Sequence, residues 1–262
     1  MNWNRIQAIV IRNMYLYKRS IPRLMDVFFW PVLDVVLWGF LSIYLANLKI
    51  TGVNIVTILI GAIIFWEFLN QSQKAISIAF LEEVWERNFL NIFVTPLSFA
   101  EFLISTVFVG LIRIILVSVV MGLLAFFFYH FNLLSMGFLL IPFVINLLLF
   151  GWVMGIFTTA IILRYGTSAQ ILAWGLIAII QPFSAVFYPV SALPSFLHWI
   201  SYLIPTTYVF EGMRKVMTGA PLAHTDVVLA FITNICFLIL VLMFFSAMFR
   251  KVKEMGRLLK LD

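Results

Sequence analysis

Charge is what this sequence has least of. Only 11% of its 262 residues are Asp, Glu, Lys or Arg, against about a quarter in an ordinary soluble domain, while 64% are hydrophobic. So few polar groups cannot cover a water-exposed surface, whereas lipid solvates Phe, Leu and Ile without penalty, so the composition excludes a soluble globular chain. Cysteine is nearly absent, and the lone Cys236 excludes an internal disulfide framework. Histidine is scarce too: His130, His198 and His224 are dispersed, with no H-E-x-x-H or comparable spacing to hold a metal. Neither a G-x-x-x-x-G-K-[ST] phosphate loop nor a G-x-S-x-G elbow occurs, so the chain has no nucleotide-binding or serine-nucleophile signature of its own. The net charge of +6 is too scattered to grip nucleic acid, and it matters instead for where it sits relative to a membrane.

What the sequence has is long apolar runs. Six are expected to be spanning helices: Val27 to Leu48, Val53 to about Phe80, Glu101 to Phe128, Met136 to Leu163, Ala169 to Phe187, and Val227 to Phe249. Residues 1–23 differ. Trp3, Ile6, Val10, Met14 and Tyr17 share one helical face and Arg5, Arg12 and Arg19 the opposite one, the pattern of a helix lying flat on an anionic leaflet, with Pro22 closing it. A signal peptide is disfavoured because Arg12, Lys18 and Arg19 interrupt the apolar positions. Lys and Arg set the orientation: with the N-terminus cytoplasmic, the inner side collects most of them and the outer side only Lys49, Arg214 and Lys215, so both termini are expected inside.

Two connections are long enough to work. Residues 81–98, cytoplasmic in this topology, hold Glu82, Glu83, Trp85, Glu86 and Arg87 ahead of Phe89, Leu90, Ile92 and Phe93, and read as a short membrane-parallel helix ended by Thr95-Pro96. Residues 181–225, outside, are cut by Pro182, Pro189, Pro194 and Pro205 into apolar pieces too short to cross, and such pieces dip into the membrane and return. Three ionisable residues fall inside expected spans: Asp34, Glu67 and Arg113. A charge at that depth costs at least a few kcal/mol unless paired or wetted, and the similar heights of Glu67 and Arg113 suggest an ion pair. Tyr188, Trp199, Tyr202 and Tyr208 gather where an exit would be.

Taken in order, these features resemble the membrane subunit of ATP-binding-cassette exporters of the type 2 permease family. The resemblance spans essentially the whole chain, 1–262, as a single domain. It rests on the amphipathic start, on Glu82 to Arg87 leading to Val94-Thr95-Pro96-Leu97-Ser98 and Glu101-Phe102, and on Phe187-Tyr188-Pro189-Val190-Ser191-Ala192-Leu193-Pro194 followed by Ile204-Pro205-Thr206-Thr207-Tyr208 and Glu211-Gly212-Met213-Arg214. It implies an all-α membrane protein with six transmembrane helices, an N-terminal interfacial helix, a cytoplasmic coupling helix at about Leu81 to Val94, and outer re-entrant helices before the last span. It also implies a plasma-membrane location in a bacterium or archaeon, pairing with a second copy or a paralogous permease, and two cytoplasmic ATPase subunits that bind the ATP and Mg, so this chain holds no cofactor. Contact with the ATPase would fall to Glu82, Glu83, Trp85, Glu86, Arg87, Phe89 and, between spans four and five, Arg164. The outer gate would comprise Tyr188, Pro189, Pro194, Trp199, Tyr202, Pro205, Tyr208 and Glu211. Family members often carry Gly-Thr-Leu-Glu where this chain has Asn88-Phe89-Leu90-Asn91, which shifts any acidic contact to Glu82, Glu83 and Glu86.

Two other classes fit less well. A membrane-embedded lipid-modifying enzyme needs a polar catalytic cluster facing one leaflet, which three scattered histidines do not supply. A secondary transporter would draw on Glu67 for ion coupling, but such carriers show inverted repeats and none is detectable here.

Overall fold

Helix boundaries follow local capping chemistry. The computed structural model describes residues 1–48, 54–86, 88, 91, 94–221 and 224–254, which include no strand. Helix α1 (Trp3–Arg19) starts where the Asn2 side chain accepts the Asn4 amide, and α2 (Ile21–Asn47) follows Ser20 directly, with Pro22 in its first turn where a missing amide costs nothing. Helix α3 is Ile55–Trp85 and α4 is Phe99–Tyr129, the latter opened by a capping box in which Ser98 and Glu101 satisfy each other's backbone amides. After a 3₁₀ segment at Leu133–Leu139 come α5 (Leu140–Tyr165), α6 (Leu172–Ile180), α7 (His198–Leu203), α8 (Pro205–Met217) and α9 (His224–Glu254).

Among the described residues five helices are long and apolar enough to cross a membrane: α2, α3, α4, the stretch built on α5, and α9. The expected span from Ala169 to Phe187 is the outlier. Its apolar helix covers only Leu172–Phe183, 12 residues or about 18 Å, against a hydrocarbon core of about 30 Å. The 3₁₀ turn at Gly166–Ala169 precedes it and Pro182 ends it, so polar turn residues consume the length that a full span needs.

Helix α3 is the axis of the bundle. It is 72% buried over its most apolar window, whereas α9 is only 17% buried and forms the periphery. Its closest partner is α5, and Gly151 and Gly155, one turn apart on α5, allow the approach. A Cβ at Gly151 would meet Leu69 O at 2.7 Å, and one at Gly155 would meet Gln73 O at 2.9 Å. Asn234 of α9 donates to the Asn146 side-chain oxygen of α5 at 2.9 Å, a polar contact across the seam in place of two groups that lipid would leave bare. The chain alternates between two ends. The α1 end gathers α1, the start of α2, the close of α3, the starts of α4 and α6, and the close of α9; the far end holds α7, α8 and the 3₁₀ turns around them.

Candidate functional site

At the α1 end, arginines from the N-terminal segment meet the carboxylates that close α3. Arg12 grips Glu83 with both guanidinium arms, at 2.5 and 3.1 Å, and Asn88 adds a bond to Glu83 at 2.8 Å. Arg23 lies 3.3 Å from Glu82 and 2.5 Å from Glu86. The Asn2 amide donates to Glu101 at 2.7 Å, Arg5 bonds the Pro96 carbonyl, and the Trp3 and Phe108 rings meet edge-on at 5.4 Å. So α1 leans on α4 from Glu101 past Phe108 rather than resting on lipid alone. Its arginine face, read from the sequence as facing an anionic leaflet, is largely spent on protein carboxylates.

Two sequence expectations change here. Leu81 to Trp85 belong to the last turns of α3, because nothing breaks the helix before Glu86, so any separate helix of the segment begins later; Asn91 and Val94 are helical, and Leu90, Ile92 and Phe93 lie outside the described residues. The acids Glu82, Glu83 and Glu86, expected to face an ATPase, are held by Arg12 and Arg23 within the chain. Trp85 stays 47% exposed while its indole nitrogen donates to Gln170 at 3.1 Å and its ring stacks on Trp174 at 6.0 Å, tying α3 to α6. Arg87 and Phe89 lie outside the described residues. Arg164 ends α5 with one arm 3.4 Å from Met248 Sδ and its guanidinium over the Tyr165 ring.

The intramembrane charges are joined indirectly. Gln71 donates to Glu67 at 2.7 Å and accepts from Arg113 at 3.1 Å, so a neutral amide stands where a direct ion pair was expected. The reason is register: Glu67 and Gln71 are one turn apart on α3, and Gln71 is the one level with the guanidinium. Arg113 takes a second neutral partner, the Tyr17 hydroxyl of α1, at 2.9 Å, with its guanidinium 5.2 Å from the ring centroid. Burial holds that hydroxyl above its ordinary pKa although Arg113 opposes the shift, so it stays protonated at neutral pH. Asp34 is half-buried on α2, within electrostatic reach of Lys74 and Glu67. No linking role for Gln71 or Tyr17 follows from the sequence alone; the i, i+4 spacing of Glu67 and Gln71 was the available signal for the first.

At the far end, Glu211 is the organiser. Its carboxylate accepts the Val190 amide at 2.8 Å and lies 3.1 Å from Arg214, whose other arm reaches the Val186 carbonyl at 3.2 Å. These contacts pin the turns around Pro189 and Pro194 to α8, which starts at the buried Pro205. Tyr188 bonds the Pro182 carbonyl at 2.6 Å and Tyr208 the Tyr202 carbonyl at 2.8 Å, while Trp199 is 64% exposed. The Phe187 ring stacks on Trp38 of α2 at 4.0 Å, which joins the segment to the bundle. No cluster of ligating side chains fit for a metal occurs among the described residues.

Several long apolar helices, with short helices folded over one end, define a multi-pass membrane protein. The family model described as ABC-2 type transporter matches residues 4–218, and the chain belongs to that family: it is the membrane permease part of an ATP-binding-cassette transporter. Comparison with the curated proteins finds no match.

Proposed function

We propose that the chain forms, with a second copy or a paralogous permease, the translocation path of an ATP-driven exporter whose two ATPase subunits dock at the α1 end. In this reading the α1 end is cytoplasmic, both termini lie inside a bacterial or archaeal plasma membrane, and the short α6 helix with its flanking turns completes a sixth crossing before the re-entrant far end. The observation that carries the proposal is the arginine–carboxylate lattice: Arg12 and Arg23 bind Glu83, Glu82 and Glu86, so a push on the close of α3 is transmitted at once to α1 and α2. Exposed Trp85, tied to Gln170 and Trp174, passes the same displacement to α6. A soluble motor closing on ATP and Mg of its own would shift these helices as a unit, which is alternating access by rigid-body motion. The cargo class that fits a mostly apolar bundle is a lipid-linked glycan, a lipid or a hydrophobic compound.

Reconstitution with the ATPase subunits tests this. Trp85→Ala should leave ATP hydrolysis largely intact while transport falls. Transport equal to wild type would remove the lever assignment.

A further inference from the structure

A cavity of about 200 Å³ beside the α1–α2 junction is lined by two charges that form no ion pair among the described residues. The first is Arg113. It is 5% exposed, its hydrogen-bond partners are the uncharged Tyr17 and Gln71, its Nε has no partner, and no carboxylate lies within 4 Å of it among the described residues. Glu82 and Arg23 also line the cavity, but they hold each other at 3.3 Å, and Arg23 is further taken by Glu86. The second is Asp26, half-buried on the cavity wall with no cation within 4 Å among the described residues. A simple anion would satisfy Arg113 and leave Asp26 facing like charge, and a simple cation would do the reverse. A group carrying both signs satisfies both. Trp85 and Trp174 add indole surface to the same wall, which suits an ammonium.

The neighbouring surface says what such a group is attached to. A groove of about 340 Å³ formed by Met25, Phe29 and Trp30 shares Pro22 and Asp26 with the cavity, and those three side chains are 45–54% exposed on a spanning helix. Polar cavity and apolar strip are therefore continuous, the outline of an amphiphile held by its headgroup and one chain. We propose that this is a binding site for a phospholipid with an ammonium-bearing headgroup, of the phosphatidylethanolamine class, taken from the leaflet at the α1 end. The phosphate takes free N–H groups of Arg113, the ammonium sits at Asp26 beside the indoles, and an acyl chain follows Met25, Phe29 and Trp30. The inference needs only the membrane placement of α2 and α3, and it stands apart from the transport reading.

The test is titration of the delipidated full-length protein, followed by native mass spectrometry, with dioctanoyl phosphatidylethanolamine, dioctanoyl phosphatidylglycerol and free phosphoethanolamine. The ammonium lipid should bind about tenfold more tightly than the glycerol lipid, the worth of one charge-assisted hydrogen bond at a partly wet site. The near-isosteric Asp26→Asn should erase that preference, and Phe29→Ala should weaken both lipids without changing their ratio. Equal binding of the two lipids to the wild type, an unchanged preference in Asp26→Asn, or free phosphoethanolamine binding as tightly as the lipid would each overturn the proposal.

Discussion

Gly151 offers the sharpest test of how the bundle is assembled. A methyl group there would lie 1.8 Å from Ser72 Oγ, 2.7 Å from the Leu69 carbonyl oxygen and 2.9 Å from Ser72 Cβ. The serine hydroxyl can rotate away, but the carbonyl is backbone and cannot, so α5 must move off α3 along their shared seam. Overpacking of this kind costs about 1–3 kcal/mol, which in a chain of this size lowers the melting midpoint by roughly 5 °C. Gly155→Ala meets Gln73 O and Ile76 Cβ at 2.9 Å and should cost less. Among the described residues nothing lies within 4 Å of a Cβ at Gly122 or Gly175, and alanine there should be neutral or gain up to about 1 kcal/mol of helix propensity. Thermal unfolding of the four variants in one detergent, followed by tryptophan fluorescence, gives the ranking. Gly151→Ala melting with the wild type, or no differently from Gly122→Ala, would refute the close α3–α5 seam.

Three further outcomes follow from the polar contacts. Gln71→Leu strips Glu67 of its 2.7 Å donor and Arg113 of one acceptor, and should destabilise by about 2–4 kcal/mol in chemical unfolding. Arg12→Ala leaves the 5%-exposed Glu83 with Asn88 alone among the described residues, a loss of about 2 kcal/mol after allowance for the partial exposure of Arg12, and the double variant with Glu83→Gln should recover part of it in a double-mutant cycle. Glu211→Gln, which keeps an acceptor for the Val190 amide but removes the charge beside Arg214, should leave the protein folded while increasing protease access to the Pro189–Pro194 turns.

Much of the architecture was legible because lipid imposes length and hydropathy. The long runs before Tyr165 and after His224 needed no further information, and the Ser98–Glu101 capping box was written in the spacing. At positions 169–187 the average hydropathy of the stretch absorbs Pro182 and Ser184, whereas the apolar helix itself covers only Leu172–Phe183. In the coupling segment the charge pattern placed the start of a new helix at Leu81, whereas α3 runs on to Trp85, and Glu86 and Glu83 are neutralised by arginines 63 and 71 residues away, a pairing no local pattern reveals. The Gly151 and Gly155 pair was in the sequence as a small-xxx-small spacing. Gln71 between Glu67 and Arg113 was not, since its role depends on the register of α4 against α3.

The central claim is that the close of α3 faces the cytoplasm and meets an ATPase. Asn91 is exposed next to that helix end, and replacing Cys236 by Ala and Asn91 by Cys gives one reporter thiol there. Membrane-impermeant maleimide should label it only after the cytoplasmic face is opened, and a short bifunctional reagent should join it to a copurified ATPase subunit. Labelling from outside intact cells would contradict the account.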